Sequence, residues 1–270
     1  MRIEITYIHH NCFVLKEGGS AFLFDVPADG FLPAGASSII SKEVSGHRLF
    51  MFTSHAHGDH FSPAPGESVS QAESICAVYS DDVRPGRVRL PAGADIHFIG
   101  PDKCLIVPCS KKLPSTRRTA SDFDGGADCT SCEIQGLKIT TFKSNDEGVA
   151  FLIEKGPLKI YFGGDLAKWS WEEDCSAEDR RDLEAAFEGL LKKLEGRKIH
   201  AAFSNADPRL SNWSGAGEFI DRISPDVFIP MHAFGNTRKV EEFVKGLGEK
   251  NINVFAYARP GDTAVFEIVT

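Results

Sequence analysis

Residues 50–63 read FMFTSHAHGDHFSP, an apolar run that ends in three histidines and an aspartate within six residues. The run LFMFTS has the composition of a buried strand, and residues just past the C-terminal end of such a strand emerge where open sheets hold their ligands. With Gly58 freeing the backbone to turn, His55, His57, Asp59 and His60 can converge on one small volume. Left unpaired, each desolvated polar atom of such a group costs about 1 to 3 kcal/mol. A divalent cation removes that cost, so the pattern predicts a metal site at the end of this strand.

The sequence on either side is rich in strands. Residues 1–25 carry the apolar blocks IEITYI, CFVL and AFLFDV, with KEGGS as a turn, which predicts consecutive antiparallel strands. ADIHFI, CLIVP, LKITTF, VAFLIE and LKIYFGGD are further candidate strands. The chain then alternates strand and helix. In SAEDRRDLEAAFEGLLKKLEG, Leu183, Phe187, Leu190, Leu191 and Leu194 recur at helical spacing, Ser176 with Asp179 resembles a capping box, and Gly196 supplies the stop. Two more helices are expected over about residues 215–223 and 237–248, with IHAAFS, DVFIPMH and VFEIV as strands. Residues 109–132 lack periodicity and are rich in Ser, Thr, Gly and Asp, which predicts an irregular loop or insertion within a single domain spanning residues 1–270.

Composition narrows the function. A chain of 270 residues that is 42% hydrophobic and 25% charged can bury a full core. The formal charge of -8 repels phosphate backbones and argues against a nucleic-acid partner. MRIEITYI alternates like a strand rather than a leader, and no apolar run approaches membrane-spanning length, so no membrane partner is expected. Seven cysteines, an odd number, fit a reducing compartment better than a disulfide framework, and a cytoplasmic location is the expectation. Nothing in the sequence specifies an oligomeric state.

HAHGDH matches the HxHxDH motif of the metallo-β-lactamase superfamily, and the order of elements over nearly the whole chain resembles that family. The resemblance implies an α/β fold, the αββα sandwich of two mixed sheets with helices on the outer faces. It implies His55, His57, Asp59, His60, Asp165 and His232 as metal ligands, with Asp165, at the end of IYFGGD, bridging two positions and His232, after VFIPM, completing the second. One or two divalent ions would be held, zinc first, with manganese or iron as alternatives. The implied activity is hydrolysis of a small-molecule ester, lactone or phosphoester, in which Asp59 is catalytic, orienting the attacking water and accepting its proton. Asp25 is a candidate to orient a ligand imidazole. The opening strand pair, YIHHNCFVL, is similar to the ascorbate-phosphate lactonase-like branch. Since polar residues at the place of His10 face the site in relatives, His10 is a candidate to contact substrate or steady a ligand, or else a strand histidine satisfied locally.

One position departs from the family. Where a histidine is expected after LKITTF, the chain reads KSNDEGVAF and places Ser144. Asp146 or Glu147 can substitute, since carboxylates ligate zinc and suit iron or manganese at least as well. Water can fill the place, and SNDEG is equally the composition of a tight turn. The departure leaves open a metal-binding protein of the same fold without hydrolysis. The motif also serves nucleases, a reading against which the acidic balance stands.

Weaker signals remain. Cys129 and Cys132 form a lone CxxC. Lys111, Lys112, Arg117 and Arg118 form a basic run able to meet an anionic substrate or simply to be solvated. Trp169 and Trp171 can wall a pocket or pack beneath a helix. His200 is expected to lie outside the metal site.

Overall fold

The computed structural model describes residues 1–108, 136–169, 176–248, 250 and 252–269. The irregular stretch 109–132, with its CxxC pair and basic run, and Trp171 lie outside the described residues.

The chain opens as the sequence predicts. Strands β1 (Arg2–His9), β2 (Cys12–Glu17) and β3 (Ser20–Phe24) pair in antiparallel succession. From β3 onward the sheet changes character. Helix α1 (Ala36–Val44) and the short α2 (Gly66–Val69) connect β3 to β4 (Arg48–Thr53) and β4 to β5 (Ser74–Ser80), and β6 (Asp95–Ile99) follows. Strands β3 to β6 are all parallel. The sequence predicts no helix before residue 176, and α1 shows why: only Ala36, Ile40, Glu43 and Val44 are buried, and Glu43 needs Lys16 at 2.6 Å to tolerate that burial.

The second sheet repeats the plan. Strands β7 (Cys104–Pro108), β8 (Gly136–Lys143), β9 (Val149–Lys155) and β10 (Leu158–Phe162) are antiparallel. Helices α3 (Ala177–Leu194), α4 (Ala216–Ile223) and α5 (Thr237–Gly246) then alternate with the parallel strands β11 (Ala201–Asn205), β12 (Val227–Met231) and β13 (Asn253–Val254). Helix α3 starts where the capping pattern places it, with Ser176 Oγ accepting the Asp179 N–H at 3.1 Å. Strand β14 (Thr263–Glu267) crosses back to pair with β1.

Among the described residues the result is two seven-stranded mixed sheets with one apolar core between them, rich in phenylalanine from both. A second core lies under α3, α4 and α5, and a third under α1 and α2. This is the αββα sandwich. Each sheet turns from antiparallel to parallel at one strand, β3 or β10, and the loops beyond the C-terminal ends of the parallel strands meet at one edge of the sandwich.

Candidate metal centre

Six segments converge at that edge. The β1–β2 turn brings His10 and Asn11, and the loop after β3 brings Asp25. The loop after β4 carries Ser54 to His60, and Asp165, Asp207 and His232 follow β10, β11 and β12. Two glycines let the loops lie this close. Gly148 has φ of +65° and Gly164 +50°; a Cβ on the first would stand 2.0 Å from the Ser54 carbonyl oxygen, and on the second 2.6 Å from Ser54 Cβ.

The donor atoms face one another. His55 Nε2 lies 3.1 Å from His57 Nδ1 and 3.7 Å from Asp165 Oδ2. His60 Nε2 lies 3.4 Å from Asp165 Oδ2 and 3.7 Å from Asp59 Oδ2, and His232 Nε2 lies 3.5 Å from Asp165 Oδ1. Donors held about 2.0 to 2.2 Å from one tetrahedral ion stand roughly 3.3 to 3.6 Å apart, so these separations are those of a coordination shell. His60 Nε2 is buried with no hydrogen-bond partner, which a protein tolerates when a ligand takes it. The residues present therefore fit a divalent ion.

The far nitrogens are tied down. His60 Nδ1 donates to Asp25 Oδ2 at 2.7 Å, and His232 Nδ1 donates to Asp207 Oδ2 at 3.0 Å. His55 Nδ1 donates to Ser54 Oγ at 2.9 Å, which in turn donates to Asp25 Oδ2 at 2.7 Å. One buried carboxylate thus fixes two imidazoles, and each imidazole turns Nε2 inward. Asp165 is itself braced: Asn11 Nδ2 donates to its Oδ1 at 3.2 Å, and Trp169 Nε1 donates to its carbonyl at 2.9 Å.

Electrostatics agrees. Burial works against charge on His60, but Asp165 and Asp25 outweigh it and hold the imidazole well above its ordinary value. Asp165 stays ionised despite burial because His60 and His232 face it. Burial pushes His55 and His10 down to about 3, leaving them neutral and able to donate lone pairs. Buried carboxylates that call for positive charge, beside neutral imidazoles, make a cation site.

The structure brings together His55, His57, Asp59, His60, Asp165, His232, Asp25 and His10. Asp207 is absent from the sequence-based set, although it shares a signal with Asp25 and Asp165: an acid just beyond a buried strand. Ser144 is buried and its hydroxyl accepts the Asp146 N–H at 3.1 Å, a local turn contact. Glu147 faces His57 Nε2 at 3.3 Å, behind the nitrogen that points to His55. Burial, and then the nearby Asp165 charge, raises the Asp146 carboxyl above its ordinary value, against the pull of His57 and His232. His200 lies outside the centre, and its Nδ1 accepts the Lys159 N–H.

Residues 4–232 match the family model of the beta-lactamase superfamily domain. The chain belongs to that family. No protein of curated function matches it. Among solved structures it is similar to the metallo-beta-lactamase fold protein YhfI of Bacillus subtilis, at 12% identity over 98% of this chain and 100% of that one, with a TM-score of 0.55. Igni18, a metallo hydrolase of the archaeon Ignicoccus hospitalis, matches at 16% identity, 99% of both chains and a TM-score of 0.52. The short form of human tRNase Z matches at 14% identity, 100% of both chains and a TM-score of 0.51. Likeness at such identities is a likeness of fold. Among the described residues no helix is long and apolar enough to cross a membrane.

Proposed function

We propose that this chain hydrolyses a small ester, lactone or phosphoester with the help of one or two divalent ions, zinc first and manganese or iron as alternatives. The observation that carries the proposal is the inward Nε2 atoms of His55, His60 and His232, each ring fixed from behind, around a central carboxylate. A bound ion supplies Lewis acidity, bringing the pKa of a water to about 7 and drawing charge from a carbonyl or phosphoryl oxygen. His55 and His57 would hold it in one position and His60 and His232 in the other, with Asp165 between and Asp59 beside the second.

The chain's own groups do the rest. Asp59 is partly exposed and its carboxyl is held well below the usual range, where the His10 and His60 imidazoles outweigh its burial. It is therefore ionised, its Oδ2 able to orient an entering water and take its proton. Phe234, 46% exposed, packs at a 32° tilt against His10, ring centroids 4.1 Å apart, while the Arg209 guanidinium lies 4.5 Å over the Phe234 ring. That guanidinium is already paired with Asp207, its Nε donating to Oδ2 at 3.0 Å, so it braces the rim rather than offering a free charge to substrate.

The test is turnover on ester, lactone and phosphoester panels before and after chelation, with zinc, manganese and iron restored one at a time. Activity should vanish with the metal and return with one of them. A fully loaded protein that turns over none of the panel would instead be a metal-binding protein of this fold. For the nuclease reading, an acidic chain should not bind RNA at any salt concentration, and RNA binding that weakens with salt would revive it.

A further inference from the structure

His10 is placed at a cost. It closes the β1–β2 turn at φ of +51°, a region that costs a residue other than glycine about 1 to 2 kcal/mol. Its side chain is 1% exposed, and neither ring nitrogen has a hydrogen-bond partner. A buried polar group left so forgoes a further 1 to 3 kcal/mol or so. The ring is clamped by Phe234, His232 and His60, with centroids 4.1, 4.5 and 5.0 Å away. Nε2 points toward Asp59 Oδ2 at 3.5 Å, and one donor atom from each of His10, His60 and His232 lies within 4.8 Å of the other two.

We propose that His10 is a nitrogen donor to the ion, so that the buried half of the centre holds its metal by three imidazoles, His10, His60 and His232, with Asp59 and Asp165 completing the shell. The proposal rests on the metal-dependent reading above and goes beyond it, since it moves a donor from the turn after β8 to the turn after β1. Ser144 leaves one position a nitrogen short, and His10 gives the other position a nitrogen more. The strained backbone and the unpartnered Nε2 then have one cause, a ligand that takes this nitrogen and holds the ring inward, while Nδ1 stays without a partner.

The competing role is that of a positioning residue, in which His10 only steadies Asp59. Zinc affinity of the stripped protein, measured against a chromophoric chelator, separates the two. His10→Ala should weaken the tightest site at least tenfold or so, while His55→Ala leaves that site in place. His10→Gln can hydrogen-bond Asp59 but is a poor zinc ligand, so it should lose affinity as His10→Ala does. Affinity restored by His10→Gln, or unchanged in His10→Ala, overturns the proposal and leaves the hydrolase reading standing. Wild-type protein carrying one equivalent of cobalt(II) gives a second readout free of any folding defect. Three hyperfine-shifted, exchangeable imidazole N–H signals are expected, and two would overturn it. If neither metal binds at all, both the proposal and the hydrolase reading fall.

Discussion

His57 and His60 stand three residues apart on one loop, yet the first has a side chain 47% exposed against an exposed Glu147, while the second is fully buried against a fully buried Asp25. The same contrast runs through the centre. On the buried side, His60 and His232 are each anchored by a carboxylate within 3.0 Å, and His10 is walled in by rings. On the open side, His57 depends on a solvent-facing pair of the kind worth about 0 to 1 kcal/mol, and the turn beside it offers Ser144 in place of an imidazole. A ligand set is only as rigid as the groups behind it, and here those groups are unequal. The buried half should bind first and tightest.

The hardest blow to that asymmetry is Asp25→Ala. It strips the acceptor from Ser54 N, Ser54 Oγ and His60 Nδ1 together. Loss of one partner of a buried ion pair costs about 3 to 5 kcal/mol, and chemical denaturation of the metal-free protein should show it. A loss under about 1 kcal/mol would mean that Asp25 is not the keystone of the buried half. Gly148→Ala should come next, at about 2 to 4 kcal/mol, because it forces a left-handed residue against the Ser54 carbonyl. Wild-type stability in that variant would place the β8–β9 turn elsewhere in solution.

Asp207→Ala, which releases both His232 and Arg209, should weaken metal binding roughly 10- to 100-fold through the freed imidazole. Isothermal titration with zinc reads this directly, and an unchanged constant would remove Asp207 from the centre. Ser144→His sharpens the contrast from the other side. If the open position lacks a nitrogen, affinity for a second ion should rise about tenfold; if Asp146 already fills the place, it should stay or fall. Glu147→Ala should be the mildest, within about 1 kcal/mol of wild type in stability and within a few-fold in metal affinity. A larger loss would show that the exposed carboxylate holds more than the far side of His57.

Much of this was legible before any coordinates. HAHGDH at the end of an apolar run announces the site, and the strand-end aspartate and histidine of IYFGGD and VFIPMH fall where the motif order places them. The three opening strands and the capped α3 also match. Other parts hide for physical reasons. Helix α1 presents serines to solvent and hides only a narrow stripe, so its period is faint. Asp207 sits in NADPRLSNW, whose turn-like composition masks an acid that serves an imidazole. The inward aim of His10 defies strand alternation, because the β1–β2 register shifts between Tyr7 and His9 and His10 itself is left-handed. The lesson is that groups just past regular strands read from the sequence, whereas Asp207, inside a turn-like stretch, and the aim of His10, at a register shift, do not.

The two sheets share a core but contribute different ligands: His10 and His55 to His60 come from loops of the first, and Asp165 and His232 from loops of the second. An ion bound between them is therefore a cross-link between layers, made at the rim, outside the apolar core between the sheets. Its effect on folding follows mass action: at a free concentration one hundred times the dissociation constant it adds about 2.7 kcal/mol. The melting temperature would then become a gauge of metal supply, and the rim proposed as the reaction site would also latch the two layers together.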